Sequence, residues 1–163
     1  MAHAVLFVCT ANICRSPMAE GVLRALVAGA APAERPEIAS AGTHDYHVGK
    51  PAFPTAVSLA RKRGYDIAGH VARRIVPDDF DRYDMVLAMD RFNVAGLLAI
   101  APTRCKGKIE LLLSYGERFH GQEVPDPYGG EVRDFERALD MIEDGCEGLL
   151  HLLVRSRGRG LRM

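Results

Sequence analysis

An α/β fold, with a four-stranded parallel sheet covered by helices on both faces, is predicted from three features of this 163-residue chain. Strand-like and helix-like segments alternate along the whole length. Its clearest strand-like segments are short, continuous apolar runs, the pattern of strands buried on both sides. The length suits one domain able to bury roughly two thirds of its unfolded surface.

The first strand is read at Ala4-Val5-Leu6-Phe7-Val8. Ser16 then offers a capping hydroxyl before Pro17, a residue suited to a first helical turn. Met18, Val22, Ala25, Leu26 and Gly29 follow at helical spacing. After an Ala- and Pro-rich connection, Glu37 to Gly42 forms a second strand of weak propensity. Residues 43–54 hold Gly49, Pro51 and Pro54 beside three ring side chains, His44, Tyr46 and His47, and read as an irregular surface loop. A helix from Thr55 ends at Gly64, after Arg61, Lys62 and Arg63. Pro77 to Phe80 starts a short acidic helical turn. The third strand is Met85 to Met89, followed by Asp90 as a helix cap, and the fourth is Lys108 to Leu113. A loop from Ser114 to Gly130 leads to a long helix with the stripe Phe135, Leu139, Ile142, Cys146, Leu149, Leu150 and Leu153. Cys146 is read as core and Cys105 as an incidental loop cysteine. The domain is placed at 1–155, with a basic, Gly-rich, frayed tail over 156–163.

Composition excludes several function classes. The 21 basic and 21 acidic residues cancel, so no global charge recruits nucleic acid or membrane. The N-terminal apolar run is too short for a membrane span and lacks a basic leader, which makes a cytoplasmic location the expectation. Cysteines at 9, 14, 105 and 146 fit a reducing compartment and lack zinc-site spacing. No metal or cofactor is expected, and a monomer is.

The chemistry concentrates in Cys9-Thr10-Ala11-Asn12-Ile13-Cys14-Arg15-Ser16-Pro17, between the first strand and the first helix. Thiol-to-guanidinium spacing alone is weak evidence, and the strand before and helix after decide its meaning. If residues 10–14 curl, their N–H groups make an anion nest. Arg15 can then grip two oxygens of a tetrahedral dianion, and the positive end of the helix adds to the field. That field favours the thiolate of Cys9. In a parallel sheet ligands bind at the strands' carboxyl ends, where Cys9 stands. A leaving oxygen needs an acid from the same edge. Asp126 in Glu123-Val124-Pro125-Asp126-Pro127-Tyr128 is the candidate, its backbone restricted by proline on both sides. Composition alone leaves open that Asp126 is only a turn residue. Cys14 shares the curled loop, near enough for a disulfide with Cys9, so reversible peroxide inactivation is expected. The plainer reading is that Cys14 packs beneath the loop.

These motifs, with Ser40-Ala41-Gly42, Tyr46-His47-Val48-Gly49, His70, Met89-Asp90 with Asn93, and Lys108 to Leu112, make the chain resemble the low-molecular-weight protein tyrosine phosphatases over nearly its whole length. The resemblance implies a Rossmann-like fold and hydrolysis of phosphotyrosine and small aryl phosphates through a phosphocysteine. It implies Cys9 as nucleophile, Arg15 as phosphoryl and transition-state ligand, and Asp126 as general acid and then base. Thr10, Ala11, Asn12, Ile13, Cys14 and Ser16 would complete the binding loop, with Ser16 donating to the thiolate. Asn12 would hold a left-handed turn supported by Ser40 and His70. Tyr46 and Tyr128 would wall the cleft, although sequence alone favours surface and structural readings for Tyr46 and His70. The implied partner is a phosphotyrosine-bearing protein such as a tyrosine kinase. Two departures stand out: Ala11 replaces the usual loop glycine, and Gly129 replaces a second tyrosine. Arsenate reductases share the fold and loop but need two further relaying thiols. Protein arginine phosphatases carry a loop Thr where Ile13 stands.

Overall fold

The computed structural model describes residues 3–160, with side chains as far as 154. Its sheet has four parallel strands: β1 (Ala4–Cys9), β2 (Glu37–Gly42), β3 (Met85–Ala88) and β4 (Ile109–Leu111), in spatial order β2-β1-β3-β4. Among the described residues, five α-helices accompany it: α1 (Arg15–Val27), α2 (Pro54–Lys62), α3 (Asp79–Arg82), α4 (Arg91–Ile100) and α5 (Val132–Gly160). Successive side chains of a strand point to opposite faces, so a strand apolar at every position must build two cores. β1 does so. Val5, Phe7 and Cys9 join the core beneath α1 and α5, with Met18, Leu23, Phe135, Leu139 and Cys146. Ala4, Leu6 and Val8 join a smaller core on the other face, with Phe80, Val86 and Leu97.

Two close approaches fix the layers. A Cβ at Gly148 of α5 would come within 1.7 Å of the Tyr115 carbonyl oxygen, so only glycine lets the helix lie this close. A Cβ at Gly42, the end of β2, would stand 2.7 Å from the Thr10 carbonyl oxygen, so Gly42 lets the loop after β1 settle against β2. The chain winds from β1 to β2 on one side and returns to β3 on the other. The strand order therefore reverses beside β1, and the crevice outside its carboxyl end is the expected ligand position.

Several local expectations are corrected. α1 begins at Arg15, and Ser16 lies inside it with its hydroxyl turned to Cys9, so it is not the cap. The buried face of α1 carries Met18, Ala19, Val22, Leu23 and Val27, whereas Ala25 is exposed and Gly29 lies beyond the helix. β4 is only three residues, because Leu112–Ser114 turns into a 3-10 helix. Cys105 is no incidental loop cysteine: it is buried in the smaller core. The helical backbone continues to Gly160, and the tail read over 156–163 otherwise lies outside the described residues. Among the described residues no helix is long and apolar enough to cross a membrane, and no cluster of three His, Cys, Asp or Glu could hold a metal ion.

Candidate active site

β1 ends at Cys9, α1 starts at Arg15, and other segments hold four carbonyls at the turn between them. The Cys9 carbonyl accepts from Thr43 N–H at 3.0 Å and the Thr10 carbonyl from His44 N–H at 2.9 Å. The Ile13 carbonyl accepts from Phe53 N–H at 2.9 Å. The Asn12 carbonyl accepts from His70 Nε2 at 2.7 Å, which places the proton of that ring on Nε2. A trans peptide sets each carbonyl opposite the next residue's N–H. With these carbonyls drawn outward, the amides of Thr10, Ala11, Ile13 and Cys14 are turned toward the centre of the ring. The N-terminus of α1 adds its positive end to the same place.

Asn12 is the keystone of the curl. It is the single described non-glycine residue with positive φ, at 59°, a conformation that Asn tolerates better than most residues. Its amide nitrogen donates to Ser16 Oγ (2.8 Å) and Ser40 Oγ (3.0 Å), and its amide oxygen accepts from Arg73 N–H (2.9 Å). Because Ser16 Oγ already accepts from Asn12, its own proton is free to be given to Cys9 Sγ, 2.9 Å away. Asn12 and Ser16 are completely buried and act from beneath; neither lines the cleft as a substrate-binding residue would.

Arg15 is 1% exposed, yet it stays cationic. Burial opposes its charge, but Cys9, Asp90 and Asp126 outweigh burial and hold its pKa above the ordinary value. Its Nη1 donates to Asp90 Oδ2 at 2.6 Å and to the Val124 carbonyl at 2.9 Å. Nη2 lies 3.5 Å from Thr10 Oγ1 and 3.7 Å from Asp126 Oδ2. Burial, then the nearby charges of Cys9 and Asp126, push the Cys14 thiol up to about 12 against the pull of Arg15. Cys14 is thus a neutral thiol at neutral pH.

Above the loop is a cleft of about 250 Å³ lined by Cys9, Thr10, Ala11, Ile13, Cys14, Arg15, Tyr46, His47, Asp126 and Tyr128. Nine of these were expected from sequence. The methyl of Ala11 is partly exposed at the lining, so the loop accepts it without burying it. Tyr128 is held edge-on to Phe53, with ring centroids 5.5 Å apart, and tilted against His47. Ser40 and His70 lie under the loop, as expected of supports.

A match to the family model described as low molecular weight phosphotyrosine protein phosphatase spans residues 4–158. The chain belongs to that family. It is 42% identical over 153 residues to a low molecular weight protein-tyrosine-phosphatase of Streptomyces coelicolor, covering 92% of this chain and 93% of the relative. It is 38% identical to the human low molecular weight phosphotyrosine protein phosphatase, covering 90% of this chain and 93% of that protein. Among solved structures, a protein tyrosine phosphatase from Entamoeba histolytica superposes with a TM-score of 0.90 at 36% identity, covering 96% of this chain and 99% of that one. YfkJ from Bacillus subtilis superposes with a TM-score of 0.87 at 35% identity, covering 96% and 97%.

Sequence reasoning missed His47 at the cleft and the work done by Asp90, Asn93 and Arg73. Asp90 was read as a helix cap, which it is: its Oδ1 accepts from Asn93 N–H at 2.7 Å, closing a capping box on α4. Its Oδ2, however, is spent on Arg15. Asn93 Nδ2 reaches Thr10 Oγ1 at 3.2 Å, so one helix cap steadies both Arg15 and the loop before it. An acidic cap directly after a strand at the same sheet edge was the available signal.

Proposed function

We propose that the protein hydrolyses phosphotyrosine, on proteins and in small aryl phosphates, through a phosphocysteine intermediate. The supporting observation is the arrangement across the cleft. Cys9 Sγ stands at the floor of a ring of inward amides, the Arg15 guanidinium is beside it, and the Asp126 carboxylate lies 3.7 Å from that guanidinium on the facing loop. In the first step Cys9 sulfur attacks phosphorus, the bond to the tyrosyl oxygen breaks, and protonated Asp126 gives its proton to that oxygen. The loop amides and Arg15 bind the three phosphoryl oxygens as their charge redistributes. In the second step Asp126, now a carboxylate, takes a proton from water. The water oxygen attacks phosphorus, the S–P bond breaks, and phosphate leaves with Cys9 restored as thiolate. Ser16 supports that thiolate as leaving group.

Ile13, Tyr46 and Tyr128 give the cleft apolar surface suited to an aryl ring, which favours phosphotyrosine over phosphoarginine. An arsenate-reducing relay lacks its thiols: among the described residues Cys105 and Cys146 are buried in the two cores, away from the cleft. A phosphotyrosine-bearing protein, such as a tyrosine kinase, is the partner this reading implies.

Cys14 supplies a redox safeguard in the same reading. Burial first, and the charge on Cys9 second, hold its thiol neutral. Peroxide oxidises Cys9 to a sulfenic acid, and attack of the Cys14 sulfur on it forms the Cys9–Cys14 disulfide with loss of water. Mass spectrometry after peroxide should show the pair, with activity restored by a thiol reductant.

The deciding experiment is Cys9→Ser assayed on phosphotyrosine, phosphoserine and phosphoarginine peptides. Turnover should vanish while a phosphate analogue still binds, because the cradle and Arg15 remain. Substantial residual turnover would remove Cys9 from the mechanism. Parent activity greatest on phosphoarginine would replace the substrate class.

A further inference from the structure

Beyond the cleft wall, Tyr46 is the first of three rings in a row. Its ring is near-parallel to His44, with centroids 4.9 Å apart and planes 24° apart. His44 is near-parallel to Phe92, at 6.0 Å and 8°. Tyr46 and Phe92 are each 64% exposed, the most open of the large apolar side chains among the described residues. Exposed apolar side chains scattered singly need no explanation. A contiguous run that begins inside a catalytic cleft does.

The row is also mounted rigidly. His44 is tied at its backbone to the Thr10 carbonyl and at its ring to Thr43, whose Oγ1 lies 2.8 Å from Nδ1. Phe92 sits in the first turn of α4, inside the capping box whose Asn93 donates to the Thr10 hydroxyl. Both mounts therefore converge on one residue of the phosphate loop, and the rings keep a fixed place relative to the bound phosphoryl group. Such preorganisation spares a ligand the ordering cost of the surface it binds.

Taking the phosphotyrosine reading as its basis, we infer that Tyr46, His44 and Phe92 form a second substrate subsite that receives an apolar, preferentially aromatic, side chain flanking the phosphotyrosine of a protein substrate. A chain in extended conformation advances about 3.3 Å per residue and alternates its side chains. A neighbour a few positions from the phosphotyrosine can therefore lie along the row while the phosphotyrosine ring occupies the cleft. Phe92 touches no reacting atom, and its role is selection among substrates.

The test compares phosphotyrosine peptides carrying Phe, Leu, Ser or Glu at each of the three positions on either side, with free phosphotyrosine as the reference. One position should favour Phe over Ser by about 2- to 12-fold in kcat/KM, the range of a single aromatic contact. Phe92→Ser should reduce that ratio toward one and leave free phosphotyrosine unchanged, while Phe92→Tyr should keep the preference. A parent enzyme with no positional preference, or a preference untouched by Phe92→Ser, overturns the subsite while leaving the phosphatase reading intact. Failure of the parent enzyme to hydrolyse free phosphotyrosine or any peptide overturns both.

Discussion

In the loop 9–15 the carbonyls of Cys9, Thr10, Asn12 and Ile13 all accept hydrogen bonds from other segments, and Asn12 adds three side-chain bonds. Across the cleft, the loop 123–130 is tied chiefly at its start. Glu123 pairs with Arg91, Val124 N–H donates to the Met89 carbonyl, and the Val124 carbonyl accepts from Arg15. Beyond that point Asp126 is held by its own neighbour, Tyr128 N–H at 3.1 Å, and its side chain is half exposed. The difference fits the two tasks that the proposed mechanism assigns. A cradle for a dianion gains from being built before the ligand arrives, since amides already aimed need no reorganisation. An acid that must later act as a base has to meet water, so burial would defeat it.

The contrast can be broken most severely at Arg15. Arg15→Lys should lower kcat by at least about 10²–10³, the scale for losing one preorganised donor. A point-charge ammonium cannot hold Asp90, the Val124 carbonyl and two phosphoryl oxygens in one plane. Steady-state kinetics on an aryl phosphate checks this, and a loss under tenfold would mean the cradle does not depend on the fork.

Asn12 sharpens the contrast at the next level. Asn12→Ala leaves Ser40 and Arg73 N–H without their partner and keeps a strained backbone, and should cost about 1–3 kcal/mol in denaturant unfolding together with activity. Asn12→Gly relieves the strain but not the lost bonds, so it should recover only part of the loss. Equal stability of all three proteins would show that the loop is held by its carbonyls alone.

At the small end is the strap of the acid loop. The Arg91–Glu123 pair measures 2.8 Å but both side chains are substantially exposed, so Arg91→Ala should change stability by less than about 1 kcal/mol. Its kcat should fall only a few fold. A loss as large as that of Arg15→Lys would place the pair in the catalytic frame.

How far the sequence carries this picture depends on the kind of interaction. The strand Ala4 to Cys9 was legible because its side chains are apolar throughout, and a two-faced core requires that. Cys9, Arg15 and Asp126 stood out as candidates because their chemistry and order make sense without coordinates, and the structure brings all three to one cleft. The supports were harder to see. Arg73 serves Asn12 through its backbone N–H, which any residue but proline possesses, so no side-chain signal could mark it. Asp90 announced only its capping role, since its second oxygen turns to Arg15, a partner 75 positions away. The buried stripe of α1 was partly misplaced because apolar residues stand on more than one side of it: Leu23 and Val27 are buried, whereas Ala25 is exposed and Leu26 half-buried. Which of them face α5 is decided by packing rather than by hydropathy.

The central claim is that cradle and acid are separable: the loop 9–15 binds and transfers the phosphoryl group, and Asp126 handles the protons. The most direct measurement is rapid mixing of Asp126→Asn with an aryl phosphate whose leaving group needs no protonation. Phosphoryl transfer to sulfur should then persist while attack of water on the phosphocysteine slows by about 10²–10⁴. The account predicts a burst of one phenolate per enzyme, with the phosphoryl group found on Cys9 by mass spectrometry. Slow linear release with no burst and an unmodified Cys9 would contradict it.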